Sequence, residues 1–203
     1  MKRFLFGLLA ASALTNPAFA AGSDQLRIFL NASLSARGSF SQTVIAQNGR
    51  KPQQSAGQFA LQRPGKFRWS YETPYATLLV SDGQTLSSYD PELKQVVVKK
   101  LGQMLTGSPA ELLAGGDLEK NFALSDAGSK DGLEFVEAKP RKREGSFSTI
   151  RIGLANNQPV IMEVQDNFGQ TTVLRFTRFE SNPNLPADQF KFKPPAGADV
   201  ISE

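Results

Sequence analysis

From residue 38 onward the chain is written in short runs of alternating apolar and polar residues, broken by turn-forming pairs. The most telling run is Gln62-Arg63-Pro64-Gly65-Lys66-Phe67-Arg68-Trp69. Phe59, Leu61 and Arg63 alternate before it, and Phe67, Trp69 and Tyr71 alternate after it. Period-two alternation on both sides of Pro-Gly predicts two antiparallel strands meeting at a tight corner. A two-residue Pro64-Gly65 turn would pair Arg63 with Lys66 and set Leu61 and Trp69 on opposite faces. A three-residue connection, Pro64 to Lys66, pairs Arg63 with Phe67 and Leu61 with Trp69 on one face. The buried pattern favours the second, because a one-residue slip sends every apolar side chain to the wrong face. The outcome is an aromatic face with one arginine at its rim, suited to something greasy.

The same reading predicts the other elements. Leu26, Phe29, Leu30 and Leu34 follow an N-cap at Ser23 or Asp24 with helical spacing, interrupted by Ser33 and ended by Gly38. Phe40, Val44 and Ala46 share a strand parity opposite Ser41, Thr43 and Gln47; Gln42 and Ile45 break it, and Asn48-Gly49 turns the chain. Strands follow at Leu78–Val80, Leu86–Tyr89 and Gln95–Leu101, separated by Ser81-Asp82-Gly83 and Asp90-Pro91. Ser108-Pro109-Ala110-Glu111 matches a capping box with Pro at the first helical position. It opens a two-turn helix through Leu112-Leu113 that Gly115-Gly116 stop. So short a helix needs tertiary packing; it is either a movable cover or a cap on one end of the sheet.

The second half returns to strands at Phe122–Leu124, Leu133–Val136, Ile150–Leu154, Val160–Val164 and Thr172–Glu180. Asp131-Gly132, Asn156-Asn157 and Asp166-Asn167-Phe168-Gly169 are the turns, and residues 140–145 form a charged loop. The tail, with Pro183, Pro186, Pro194 and Pro195, is too proline-rich for a central strand. About ten strands and two or three short helices make a mainly β chain with short helices (α+β). A sheet that wide curls through its own twist. The expected fold is a strongly curved antiparallel sheet, an unclosed β-barrel with a helical lid over an apolar cavity.

Composition changes this picture at three points. Lys2-Arg3, the apolar run Phe4 to Leu14 and the small-x-small site Ala18-Phe19-Ala20 read as a secretory signal peptide over residues 1–20, too short to span a bilayer. The exported chain would be one domain, residues 21–203. Without Lys2 and Arg3 it carries 21 basic and 19 acidic residues, a formal charge of +2, too balanced to predict nucleic-acid binding. There is no Cys and no His, so disulfides, a lipidated N-terminal cysteine and the commonest general base and metal ligand are all missing. No metal or cofactor is expected, nor is an enzyme: there is no Gly-x-Ser-x-Gly. Asp82, Asp90 and Asp166 leave carboxylate catalysis formally open but sit where turns want Asp anyway.

Five segments together carry a family resemblance: Arg63-Pro64-Gly65-Lys66-Phe67-Arg68-Trp69, Ser81-Asp82-Gly83, Tyr89-Asp90-Pro91, Pro109-Ala110-Glu111-Leu112-Leu113, and Phe190-Lys191-Phe192-Lys193-Pro194-Pro195-Ala196-Gly197-Ala198-Asp199-Val200. In order and spacing the chain from residue 21 onward resembles the periplasmic outer-membrane lipoprotein carrier family, LolA. The resemblance implies a monomeric periplasmic chaperone. Such a protein takes acylated lipoproteins from an inner-membrane lipoprotein-releasing ABC transporter and hands them to an outer-membrane receptor. It also implies that Arg63 latches the lid and that Phe67 lies near the cavity mouth, where the transporter makes contact. Phe59, Leu61, Phe67, Trp69 and Tyr71 are the expected acyl-chain cavity. Ser87 stands where many members have Trp, which would alter the cavity locally. The competing reading is a binding protein of the same fold for another hydrophobic cargo, a glycolipid or lipid, or for a regulatory partner.

Overall fold

The protein is described here from a computed structural model covering residues 21–47, 49–101, 109–114, 118–142 and 146–202. Residues 1–20, the expected signal peptide, lie outside the described residues, as do Asn48, Ser108, Gly115, Gly116 and part of the charged 140–145 loop. Helix α1 (Gly22–Ala32) is followed by β1 (Ser35–Ile45), β2 (Gln53–Gln62), β3 (Lys66–Thr73), β4 (Thr77–Asp82), β5 (Thr85–Asp90) and β6 (Gln95–Lys100). Two short helices, α2 (Pro109–Ala114) and α3 (Leu118–Asn121), precede β7 (Phe122–Lys130), β8 (Leu133–Pro140), β9 (Phe147–Ala155), β10 (Gln158–Asp166) and β11 (Thr171–Ser181). A 3₁₀ turn (Ala187–Phe190) and β12 (Asp199–Ser202) complete the chain. One twelve-stranded sheet results, in the order β12-β6-β5-β4-β3-β2-β1-β11-β10-β9-β8-β7. Its two ends, β12 and β7, do not pair, so the barrel is unclosed.

Alternation decides which side chains share the inner face. Val136 pairs with Ile152, Ile152 with Met162 and Met162 with Leu174, a continuous apolar row across four strands. Leu26 and Phe29 of α1 are buried on this side, and the helix lies across β7 to β10. The helix stops at Ala32, not at Gly38. Asn182 explains this: its side-chain oxygen accepts the N–H groups of Leu34 and Ser35, and its amide donates to the Ala32 carbonyl. A residue 150 positions away caps the helix and starts the strand, leaving Leu34 two-thirds exposed. The first turn is likewise capped from afar: the N-cap is Ala21, which makes no side-chain cap bond, and not Ser23 or Asp24. Ser23 N–H donates to the Asp126 carboxylate at 2.8 Å, and Asp24 pairs with Arg27 instead. Gly38 belongs to β1, where a Cβ would collide with the Arg178 carbonyl beside a register shift in the β1–β11 ladder.

The convex face carries a second, smaller core. Val80, Val96 and Phe190 are buried yet lie outside the inner cluster. The 3₁₀ turn brings Phe190 against β3 and β4, and Phe192 reaches Tyr89 at 5.8 Å between ring centroids. The tail is therefore a strap over the back of the sheet. It ends in β12, parallel to β6, an element the pattern does not predict because its four residues follow a proline-rich stretch. The Asp199 N–H bond to Lys94 O starts that pairing.

Candidate functional site: an apolar cavity beneath a short helix

The β2–β3 corner has three residues, but they are Arg63-Pro64-Gly65. Gln62 pairs with Lys66, Leu61 with Phe67 and Phe59 with Trp69. The expected pairs, Arg63 with Phe67 and Leu61 with Trp69, are out by two residues in register, one from each strand. The reason is Gly65, whose φ of 70° is the left-handed conformation that closes a three-residue loop, so Lys66 already belongs to the strand. Because the slip moves one residue on each strand, parity survives and the same side chains face inward.

Those side chains line a cavity of about 540 Å³ between the sheet and α2. Phe59, Leu61, Phe67, Trp69 and Tyr71 form its β2–β3 wall, Leu79 and Leu86 extend it, and Pro109, Ala110, Leu113 and Ala114 of α2 roof it. Phe147, Met162, Val164 and Leu174 close the far side. Trp69 lies between Phe40 and Phe59, with centroids 4.4 and 5.5 Å away. Such aromatic contacts each add about 0.5–1.5 kcal/mol beyond area burial and hold the wall rigid. Polar groups are few. Tyr71 Oη donates to Gln42 Oε1 at 3.1 Å, and burial pushes the Tyr71 hydroxyl above its ordinary pKa. The described lining is mostly apolar and suits hydrocarbon.

Arg63 stands at the corner with its guanidinium carbon 4.7 Å from the centre of the Phe29 ring. All three guanidinium nitrogens are buried, and none has a hydrogen-bond partner among the described residues. Desolvation holds its pKa at about 10, below the ordinary arginine value. The described contact between the corner and α2 is a backbone one, Gly65 N–H to Ala114 O at 3.2 Å. Phe67 is buried at the cavity wall, 8 % exposed. Ser87 pairs with Val80 and Val98, out of parity with the cavity-lining Leu86, so its side chain belongs to the opposite face and does not shape the cavity.

Gln42, the apparent break in the β1 alternation, shares parity with Phe40 and puts its amide inside the cavity. The parity itself was the signal. The far wall was readable as strands, but nothing local says that Met162 or Leu174 faces Trp69 across the barrel.

The family model for "Outer membrane lipoprotein carrier protein LolA" matches residues 31–193. An outer-membrane lipoprotein carrier protein of Dechloromonas aromatica is 50 % identical over 187 residues, covering 92 % of this chain and 90 % of the relative. The one from Methylibium petroleiphilum is 42 % identical over 203 residues, the full length of both. Among solved structures, an uncharacterised conserved protein from Thermus thermophilus superposes with a TM-score of 0.58 at 12 % identity, covering 89 % of this chain and 99 % of that one. A LolA superfamily protein from Nitrosomonas europaea gives 0.50 at 13 % identity, over 86 % and 99 %. At those identities the likeness is one of fold. Sequence and fold agree, and the chain belongs to the outer membrane lipoprotein carrier family, LolA.

Proposed function

We propose that this protein is a periplasmic carrier that shields the acyl chains of lipoproteins between an inner-membrane ABC transporter and an outer-membrane receptor. In this reading residues 1–20 direct export and are removed, and residues 21–203 work as one monomeric domain with no catalytic role. The observation that carries the proposal is the apolar cavity of about 540 Å³ roofed by α2, in a chain whose relatives are named lipoprotein carriers. Each buried acyl CH₂ contributes about 0.8 kcal/mol, so hydrocarbon enters such a cavity unaided and release becomes the difficult step. A helix of six residues with little stability of its own is a suitable roof, because its closure in the empty state offsets part of the binding energy and eases handover.

Phe59, Leu61, Phe67, Trp69 and Tyr71 are the acyl-contacting wall. Arg63 acts as the latch at the corner on which α2 closes, and Phe67 becomes the transporter contact once the roof lifts. The decisive experiment uses inner-membrane vesicles that hold a radiolabelled lipoprotein, with ATP and the exported form of the protein. Soluble lipoprotein–carrier complex is the expected product. Failure to release it, with purified protein carrying a different native lipid, would transfer support to the other-cargo reading.

A further inference from the structure

The bond that ties α2 to the sheet depends on a residue outside the cavity wall. Ala114 O, at the last residue of α2, accepts the Gly65 N–H at 3.2 Å. Glycine is also the residue whose backbone is hardest to hold in one conformation. Ser81 holds it. Its hydroxyl donates to Gly65 O at 2.9 Å and accepts Gly83 N–H at 3.2 Å, and the residue is fully buried, 0 % exposed. One hydroxyl thus joins the β2–β3 corner to the β4–β5 turn with donor and acceptor both used. The fit around Gly65 is close. A Cβ on Gly65 would stand 3.3 Å from both Gly83 Cα and Leu101 Cδ2.

We propose that Ser81 is a positioning residue for the lid: it orients Gly65 so that the Gly65 N–H meets Ala114 O and α2 stays closed over the empty cavity. This rests on the carrier reading, in which α2 opens and closes. It differs from the Arg63 latch, since the Arg63 guanidinium lies over Phe29 of α1 and not on the Gly65–Ala114 bond. Ser81 touches no cargo; it acts through Gly65.

The protein carries its own reporter. Trp69 is the single tryptophan of the sequence and lines the cavity under α2. Its accessibility to acrylamide in the empty, exported form of the protein therefore reads the lid without labels. Losing one neutral hydrogen bond shifts an equilibrium roughly 3- to 10-fold. Ser81→Ala is expected to raise the open-to-closed ratio by that factor, seen as a larger quenching constant. Ser81→Cys, with a weaker donor of similar size, should fall between, and serves alone if the alanine variant does not fold. Asp82→Ala loosens the same turn without touching Gly65, and should lower the thermal midpoint while leaving quenching at the wild-type value. Wild-type quenching in both Ser81 variants overturns the proposal, and so does an equal rise in Asp82→Ala. Lipoprotein loading is scored separately. A lid that opens in Ser81→Ala on a protein that loads no acylated cargo keeps the relay and removes the carrier reading. Normal loading with unchanged quenching does the reverse.

Discussion

Arg63 is a buried cation whose described compensation is one aromatic face, and its energetics set the sign of its replacement. Cation–π contact returns about 0.5–2 kcal/mol, whereas a desolvated charge without hydrogen bonds costs more. Arg63→Leu keeps an apolar contact for Phe29 and removes the desolvated charge, so the thermal midpoint of the empty protein should stay level or rise. If Arg63 is also the latch, the variant retains lipoprotein when excess receptor is added, while the wild type gives it up. Complete transfer by the variant would reduce Arg63 to a corner residue. Asp82 runs the opposite way. The N–H groups of Thr85 and Gln84, and the Thr85 hydroxyl, hold its carboxyl below the usual range. A lowered carboxylate pKa contributes stability above the unfolded value and loses it as pH falls through the folded one. In so exposed a turn, losing the three bonds together costs about 1 kcal/mol. Asp82→Ala should therefore melt about 2–4 °C below wild type at pH 7, and the gap should begin to narrow below about pH 4 and shrink further as pH falls through the lowered folded-state value.

At the scale of elements, what the sequence discloses follows from where each cause lies. Strands β2 to β6 are local hairpins with their own turn residues, so alternation and turn chemistry identify them together with the inward face of Phe59 to Tyr71. The β2–β3 register is out by one residue on each strand because pattern reports parity, while loop position depends on which residue takes a positive φ. The end of α1 is misplaced because Asn182, across the molecule, supplies the cap. The corner-to-lid contact involves a backbone N–H, which no side-chain pattern announces. The tail strap is the clearest gap. Phe190 looks like one more phenylalanine in a proline-rich end, yet it is 2 % exposed and anchors the second core against β3 and β4. Phe190→Ala should cost about 3–5 kcal/mol by denaturant unfolding. Since the strap lies on the face opposite the cavity, lipoprotein uptake by the folded fraction should be unchanged. Lost uptake at full folding would mean that the strap shapes the cavity through the sheet.

Over the whole molecule, an open twelve-stranded sheet solves a problem that a closed barrel does not. Its two ends are left unpaired, and its inner face leaves a cavity of about 540 Å³ that hydrocarbon could fill. In the carrier reading proposed above, the inner wall is both half of the core and the binding site, and the cavity of about 540 Å³ bounds how much cargo it can shield. Affinity for single-chain lipids of increasing length should rise about fourfold per methylene, the equivalent of about 0.8 kcal/mol, while each new carbon still enters the cavity. Beyond the length that fills it, added carbons meet solvent and the curve should flatten. Titrations followed by Trp69 fluorescence locate the break, and calorimetry on the rising limb should give a negative heat-capacity change from apolar burial. A binding curve indifferent to chain length from the first carbons onward would mean that a head group, and not the wall of Phe59, Leu61, Phe67, Trp69 and Tyr71, is what this protein holds.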